Sequence, residues 1–333
     1  MEKERKKKKL SKFQLRAIII GAVSLVFALA FIITNIFIPV KYLASYMVAR
    51  NRGAAEGVMR VRFVDAGYGD CIIVELPDGK NMLIDGGNGS APNQAKILKY
   101  LNSCDINTID YLICTSVKSE HCGGLAEIIK YKTVNKIYMP YCLNTFINDK
   151  YRDFALAARD SGAPVIISQY GAGGKNTEYG YFFSFLSPSI ISNPEGEYAE
   201  LNKNGGSEEA VNNSSAVIWL EYAGTAFLFT SDAGSKVLNG ICNSYAVAGE
   251  DYPVKLENCT VISVSGHGSA DSSAQLYDTA KPEVAVISVG ENGRGCPSAA
   301  AIADAANCVG DNLYRTDGGA VTIEVNKEGY KII

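Results

Sequence analysis

The stretch YLICTSVKSEHCGGL, residues 111–125, opens as a short apolar strand (Tyr111, Leu112, Ile113, Cys114). It leaves that strand through a polar loop, residues 115–121, and regains order at Gly123 and Gly124, where Leu125, Ile128 and Ile129 begin a helical spacing. A strand that empties into a polar loop and then a helix is where α/β folds place their chemistry. Outward from this stretch the same arrangement recurs. Polar motifs follow apolar runs at Asp65 to Asp70, at Asp85, at Asp232, at His267 and at Cys296. Strands ending on one rim would bring these groups together. Each motif alone has a plain explanation: Asp-Gly-Gly is a common turn, and Ser-Asp at a hairpin end is a common helix cap. Their joint order is what carries information.

The 333 residues suffice for one large domain or two ordinary ones. With 47% hydrophobic and 20% charged residues the composition is that of a globular protein, which excludes wholesale disorder. Formal net charge is −3. Residues 1–16 hold eight Lys/Arg against Glu2 and Glu4, a balance of +6, so the rest of the chain carries −9. An acidic body is a poor match for a phosphate backbone, so a nucleic acid is the least favoured partner. Only two histidines occur, His121 and His267, and none of the nine cysteines forms a CxxC pair. Neither a zinc ribbon nor a thioredoxin motif is available. The odd count argues against a full disulfide framework, while export would allow one or two bridges.

Ahead of the strands lies a basic tail, residues 1–16, and then 17–40, AIIIGAVSLVFALAFIITNIFIPV, 24 residues without a formal charge. About 20 apolar residues cross a bilayer, so this run predicts a transmembrane helix. The flanking Lys/Arg excess places the N-terminus in the cytoplasm and everything after the span outside. A cleaved signal peptide, cut near Ala44 or Ala49, is the rival, but the run is longer than an ordinary h-region. Residues 41–57 read as a juxtamembrane linker, and 58–333 as the extracytoplasmic domain.

Within that domain Val58 to Val64 alternates with period two, Cys71 to Leu76 follows, and Pro77-Asp78-Gly79-Lys80 turns into Asn81 to Ile84. Helical patterns fall at 94–101, 150–161 and 298–306. Further strand material lies at 134–138, 164–167, 176–186, 216–222, 226–230, 259–264, 283–289, 312–315 and 320–325. Residues 190–213 read as a long polar surface loop. Strand runs mixed with helices in both halves suit a layered α/β sandwich.

The ordered motifs resemble those of the ComEC-like extracytoplasmic domain of the metallo-β-lactamase superfamily, over nearly all of 58–333. Asp65-Ala66-Gly67-Tyr68-Gly69-Asp70-Cys71 is similar to D-V-G-Q-G-D-S, and Leu83-Ile84-Asp85-Gly86-Gly87 to L-I-D-G-G. Asn212-Asn213-Ser214-Ser215 is similar to N-N-x-S, Thr230-Ser231-Asp232-Ala233 to T-G-D-A, and Ser265-Gly266-His267-Gly268-Ser269 to x-H-H-G-S. Asn292 and Cys296-Pro297-Ser298 stand near N and H-P-S. The resemblance implies a four-layer αββα sandwich of two mixed sheets, with a metal-dependent hydrolytic site on one rim that often takes phosphodiesters.

The ligands depart from that pattern. In the family loop T-H-x-H-x-D-H-x-G-G, Ser116 and Lys118 stand at the first two histidines, Glu120 at the aspartate and His121 at the last histidine. Gly266 and Cys296 replace two further histidines. A two-zinc site needs several neutral imidazoles, which two histidines cannot supply. Glu120, His121, Asp232 and His267 remain as a set for at most one Zn, Mn or Fe ion, although Glu in place of Asp lengthens one arm by about 1.5 Å. Lys118 suggests a metal-free alternative in which its ammonium neutralises Glu120 and Asp232. Asp65, Asp70, Asp85, Asn213 and Ser215 complete the predicted rim. Cys122, at a loop-to-helix junction, reads as a structural thiol before a nucleophile. The favoured expectation is a membrane-anchored domain with a degenerate site that binds a small ligand or a membrane protein. The alternatives are a single-metal hydrolase of phosphodiesters or similar esters and a nucleic-acid-binding accessory of DNA uptake.

Overall fold

The computed structural model describes residues 12–37, 53–144, 147–190, 192–204, 207–244 and 253–333. In chain order the strands are β1 (Met59–Phe63), β2 (Ile72–Glu75), β3 (Asn81–Ile84), β4 (Thr108–Ile109), β5 (Tyr111–Ile113), β6 (Thr133–Val134), β7 (Ile137–Met139) and β8 (Val165–Ile167), then β9 (Gly173–Asn176), β10 (Tyr181–Ser187), β11 (Val217–Tyr222), β12 (Thr225–Phe229), β13 (Cys259–Ser263), β14 (Val284–Ile287), β15 (Leu313–Arg315), β16 (Val321–Asn326) and β17 (Gly329–Ile332). Eight of them form one sheet in the order β17-β16-β1-β2-β3-β5-β7-β8, and seven form a second in the order β15-β14-β13-β12-β11-β10-β9.

Period-two alternation explains the layering, because successive side chains point to opposite faces and here both faces are buried. In β11, Ile218 and Leu220 enter the core between the sheets, while Val217 and Trp219 enter a separate core beneath helices. In β3, Met82 and Ile84 face inward and Leu83 outward. The inner core joins Val61 and Phe63 of β1 to Phe227 and Phe229 of β12, with the Phe63 and Phe229 rings 6.1 Å apart. Outside the first sheet, Ile97, Leu98 and Leu101 of the helix Ala91–Ser103 and Phe154 of the helix Asp149–Ser161 share a core with Leu83 and Leu112. Outside the second, Leu238 and Ile241 of the helix Ser235–Asn243 and Ala305 of the helix Ala299–Val309 pack with Trp219 and Ile262. The order helices, sheet, sheet, helices is the expected αββα sandwich.

Asn148 shows how one side chain couples a layer to the rim. Its Oδ1 accepts the Tyr151 backbone N–H at 2.8 Å, capping the helix Asp149–Ser161, and its Nδ2 donates to the Val117 carbonyl at 2.7 Å. Asn148→Ala is expected to lower stability by about 0.5–2 kcal/mol, the range for losing an N-cap. A urea midpoint unchanged from the parent chain would contradict it.

Two expectations need correction. The polar segment 190–213 is not a simple loop. It contains the helices Glu197–Asn204 and Glu208–Asn213, which bury Tyr198, Leu201, Ala210 and Val211. Both helices are too short for a clear periodic signal against their polar composition. The chain also closes with β17, paired antiparallel to β16, where only one final strand was expected. All nine cysteines are free.

A helix runs Lys12–Phe37, but its side chains are described only for residues 18–29 and Ile32, a stretch shorter than a bilayer span. Among the described residues no helix is long and apolar enough to cross a membrane. The basic tail through residue 11, the end of the predicted span at 38–40 and most of the linker lie outside the described residues.

Candidate metal centre

Strand direction assembles the rim. β3, β5, β7 and β8 run parallel in the first sheet, and β12, β13, β14 and β15 run parallel in the second, so the loops leaving their C-terminal ends share an edge. β1 points the same way as β3, because both are antiparallel to β2. Backbone hydrogen bonds knit the loops: Gly86 N–H to His121 O at 2.7 Å, Gly87 N–H to Asp70 O at 2.8 Å, and Ala216 N–H to Thr115 O at 2.8 Å across the two sheets.

His121 stands on the helical turn Ser119–Cys122 and is fully buried. Its Nδ1 lies 2.8 Å from Asp85 Oδ2. A carboxylate accepts, so Nδ1 carries the proton and Nε2 points away from it. Asp85 is held in turn by the Thr115 backbone N–H at 2.8 Å and the Thr115 hydroxyl at 2.5 Å, and that hydroxyl also meets Ser231 Oγ at 2.6 Å. His267, after β13, has Nδ1 2.9 Å from the Ser288 carbonyl, which likewise fixes the proton on Nδ1. This is how metal-binding imidazoles are oriented: the second nitrogen is tied to a carboxylate or carbonyl and the first presents its lone pair. Asp85, Ser231 and His267 adopt positive φ values of 61°, 49° and 57°, strained backbone concentrated at one site.

The two lone pairs converge. His121 Nε2 is 3.2 Å from Asp232 Oδ1, and His267 Nε2 is 3.7 Å from the same oxygen. The three atoms lie within 4.8 Å of one another. None of the three has a hydrogen-bond partner, although all are buried, so the 3.2 Å separation lacks hydrogen-bond alignment. Buried polar atoms are almost always paired, and three orphans aimed at one point need an explanation. A tetrahedral ion with bonds of about 2.0–2.1 Å separates its ligands by roughly 3.3 Å, close to what these residues present. Two imidazoles and a carboxylate therefore fit one divalent ion, and zinc, manganese and iron all accept this donor set.

Asp70 is the second acid in this shell. Its carboxylate reaches His121 Nδ1 at 3.5 Å and His267 Nδ1 at 3.6 Å. Burial pushes its pKa up, against the pull of His267 and His121. Burial also opposes ionisation of Asp232, but His121, His267 and Lys118 outweigh it and hold that carboxyl well below the usual range. Desolvation disfavours the charged form of His121, yet Asp232 and Asp85 raise its pKa well above the ordinary imidazole value. With no ion bound, a proton on His121 supplies the cation that these acids require.

The other half of the rim has a different occupant. Lys118 Nζ lies 2.8 Å from Asp232 Oδ2, so this carboxylate turns one oxygen to the imidazoles and the other to an ammonium. Ser116 is buried, and its hydroxyl accepts the Lys118 backbone N–H at 3.4 Å. Gly266 takes φ 58°, and a side chain there would meet Ser269 Oγ at 2.6 Å, so the position sends nothing into the site.

Glu120 does not join the imidazoles. Its Oε1 faces Arg294 Nη1 at 3.5 Å and its Oε2 accepts from Ser119 Oγ at 3.2 Å. Lys118 thus neutralises Asp232 alone, and Arg294 takes Glu120. Asp65 remains a turn residue, bonded to the Gly67 N–H and paired with Lys96. Ser215 is buried with its hydroxyl on the Val211 carbonyl, and Asn213 lines a separate cavity of about 360 Å³ with Ser187 and Lys236. Cys296 packs its thiol against the Gly266 carbonyl. Cys122 is a buried thiol whose pKa is driven up by desolvation and by Asp85, as suits a structural cysteine and not a thiolate nucleophile. The residues missing from the sequence reading are Thr115, Ser231 and Ser288, which hold the ligands, and Tyr68 and Arg294, which cover them. Tyr68 offered a signal, standing where the resembled motif has glutamine.

Residues 64–289, more than half of the chain, match the profile of the Metallo-beta-lactamase superfamily. The chain belongs to this superfamily. Among curated proteins it is 26% identical over 258 residues to ComE operon protein 3 of Bacillus subtilis (strain 168). That alignment covers 72% of this chain and only 29% of the relative, so the chain spans less than a third of that protein. Over that stretch this member of the metallo-β-lactamase superfamily is similar to a ComE operon protein. Among solved structures, the E377D mutant of CmlA beta-hydroxylase aligns with a TM-score of 0.50 at 14% identity, over 79% of this chain and 53% of that one. Unliganded yeast PDE1 aligns at 0.44 and 10% identity, over 78% and 96%. At 14% identity the likeness to CmlA beta-hydroxylase shows the fold alone.

Proposed function

We propose that this superfamily member is a membrane-anchored, catalytically degenerate binding module, with room for one structural ion and no hydrolytic centre. The Lys118–Asp232 ion pair carries the reading. A two-ion hydrolytic site needs a carboxylate shared between both ions, with the attacking water held there. An ammonium only donates hydrogen bonds and coordinates no water. The remaining ligand atoms, on His121, Asp232 and His267, are enclosed, and closed sites are the structural kind. An ion held there would tie the rim of one sheet to the rim of the other.

Two observations support the anchor. The helix Lys12–Phe37, 26 residues, is about 39 Å long at 1.5 Å per residue. It also leaves large apolar side chains bare, among them Phe27 at 73% and Ile20 at 66% exposure, a surface suited to lipid. The basic residues before it set the N-terminus in the cytoplasm and the sandwich outside the cell. The bound partner is then a small extracytoplasmic ligand or a neighbouring membrane protein. Salt-sensitive binding of DNA by the full chain would instead favour the nucleic-acid reading.

The convergence of His121 Nε2, Asp232 Oδ1 and His267 Nε2 also favours a second reading, a single-metal hydrolase of phosphodiesters or similar esters. Full-length protein in detergent, loaded with zinc or manganese, separates the two by elemental analysis and by turnover of bis(4-nitrophenyl) phosphate. We expect at most one ion per chain, lost on His267→Ala, and no turnover above the protein-free rate. Turnover that disappears in both His121→Ala and His267→Ala would overturn the degenerate reading.

A further inference from the structure

Beside the three converging ligands runs a stack of side chains from four segments. The His121 and His267 rings lie face to face with centroids 5.3 Å apart. The Tyr68 ring covers His267 at 4.5 Å. The Arg294 guanidinium lies 5.4 Å above the Tyr68 ring, and its Nη1 reaches back to Glu120 Oε1 at 3.5 Å. Exposure rises outward along this series: His267 is buried, Tyr68 half-buried and Arg294 exposed. Glu120 precedes His121 on the same helical turn, so the stack closes on itself.

We propose that Tyr68, clamped between His267 and Arg294, is a gate that controls exchange of the ion held by His121, Asp232 and His267. The proposal rests on the one-ion reading of that site. Gly67 and Gly69 flank it with φ values of 70° and 151° and pack closely on Asn93 and the Glu120 carbonyl, so the loop backbone is held and the gate moves by rotation of the Tyr68 side chain. The bolt is weak enough to slide. A cation over an aromatic face at an exposed site contributes about 0.5–1 kcal/mol, and the 3.5 Å ion pair of the exposed Arg294 with the buried Glu120 carboxylate is a single long contact. Closure matters for ligands of this type because it keeps water and chelators from an ion with three protein bonds. Glu120, turned outward, serves the gate through Arg294, which gives a role to the acid that the ligand set leaves out.

The test is the rate at which full-length protein in detergent, charged with zinc, surrenders the metal to an excess of a chromogenic chelator. Tyr68→Ala is expected to speed release by about tenfold or more with the ion count per chain unchanged. Tyr68→Phe, which keeps the ring, should match the parent, and Arg294→Ala should fall between. Release from Tyr68→Ala at the parental rate overturns the gate; if that variant does not fold, the same result from Arg294→Ala does so. Failure of the parent chain to take up zinc overturns the one-ion reading itself, and the gate with it.

Discussion

Asp85→Ala is expected to destabilise the protein by about 3–5 kcal/mol, the range for breaking a buried charged network. The carboxylate is inaccessible to solvent and receives three hydrogen bonds, from the Thr115 N–H, the Thr115 hydroxyl and His121 Nδ1. Deleting it leaves the Thr115 backbone N–H buried without an acceptor, a cost of about 1–3 kcal/mol, and leaves the His121 Nδ1–H with only the more distant Asp70 carboxylate at 3.5 Å. Backbone adds to the loss, since Asp85 sits at φ 61°, which aspartate tolerates better than alanine. Asp85→Asn separates folding from positioning. Asparagine keeps the backbone preference and can still accept from Thr115, but its amide does not fix the His121 tautomer as a carboxylate does. That variant should fold with a smaller loss and bind zinc roughly 10–100-fold more weakly, the usual effect of removing an outer-shell partner. Urea unfolding and zinc titration of both variants read the two effects. An Asp85→Ala midpoint within 1 kcal/mol of the parent would refute the network's importance.

Much of the site was legible because it depends on where strands end. Asp85, His121, Asp232 and His267 each follow an apolar run that forms a buried strand, and parallel neighbours carry such ends to one edge whatever the side chains are. What was not legible depends on direction within a turn. Glu120 and His121 stand at the last two ligand positions of the resembled loop, which put both in one ligand set. On a helical turn, neighbours one residue apart do not face the same way. His121 takes the inward position, so the Glu120 carboxylate goes to the rim and Asp70, fifty residues earlier in the chain, fills the space between the imidazoles. The partner of Lys118 was legible only by halves, because Arg294 lies in a loop with no pattern of its own and had already claimed Glu120. The helices within 190–213 escaped notice for another reason. Their buried residues, such as Tyr198 and Val211, are too few per turn to stand out from a polar background.

Raising the pH from 8 to 10 is expected to destabilise the sandwich by about 5 kcal/mol or more, a loss comparable with the whole stability of many domains. Cys71, Cys114, Cys122 and Cys259 are all deeply buried thiols. Desolvation raises the pKa of each, reinforced by Asp85 and Asp70 at Cys71, by Cys122 and Asp85 at Cys114, by Asp85 and Glu120 at Cys122, and by Cys308 at Cys259. An unfolded cysteine ionises near pH 8.5. Above that value the unfolded chain releases these protons while the folded chain keeps them, so stability is intact below about pH 8.5 and falls as pH rises from there toward the folded values. Each such thiol costs about 1.5–2 kcal/mol by pH 10, and four act together. Lys132 opposes the trend. Burial lowers its pKa to about 8, so from there to the ordinary lysine value the unfolded chain holds a proton that the folded one lacks, and stability rises. One lysine against four thiols leaves the fall dominant, and the raised Tyr151 and Tyr198 extend it above pH 10. The effect is measured as the urea midpoint of metal-free, reduced protein between pH 8 and 10. Cys259→Ala serves as the internal check, because it removes one titrating thiol far from the metal ligands and should make the pH slope shallower whatever its baseline stability. A midpoint that stays level to pH 10 would mean that these thiols ionise as readily in the folded protein as in the unfolded chain.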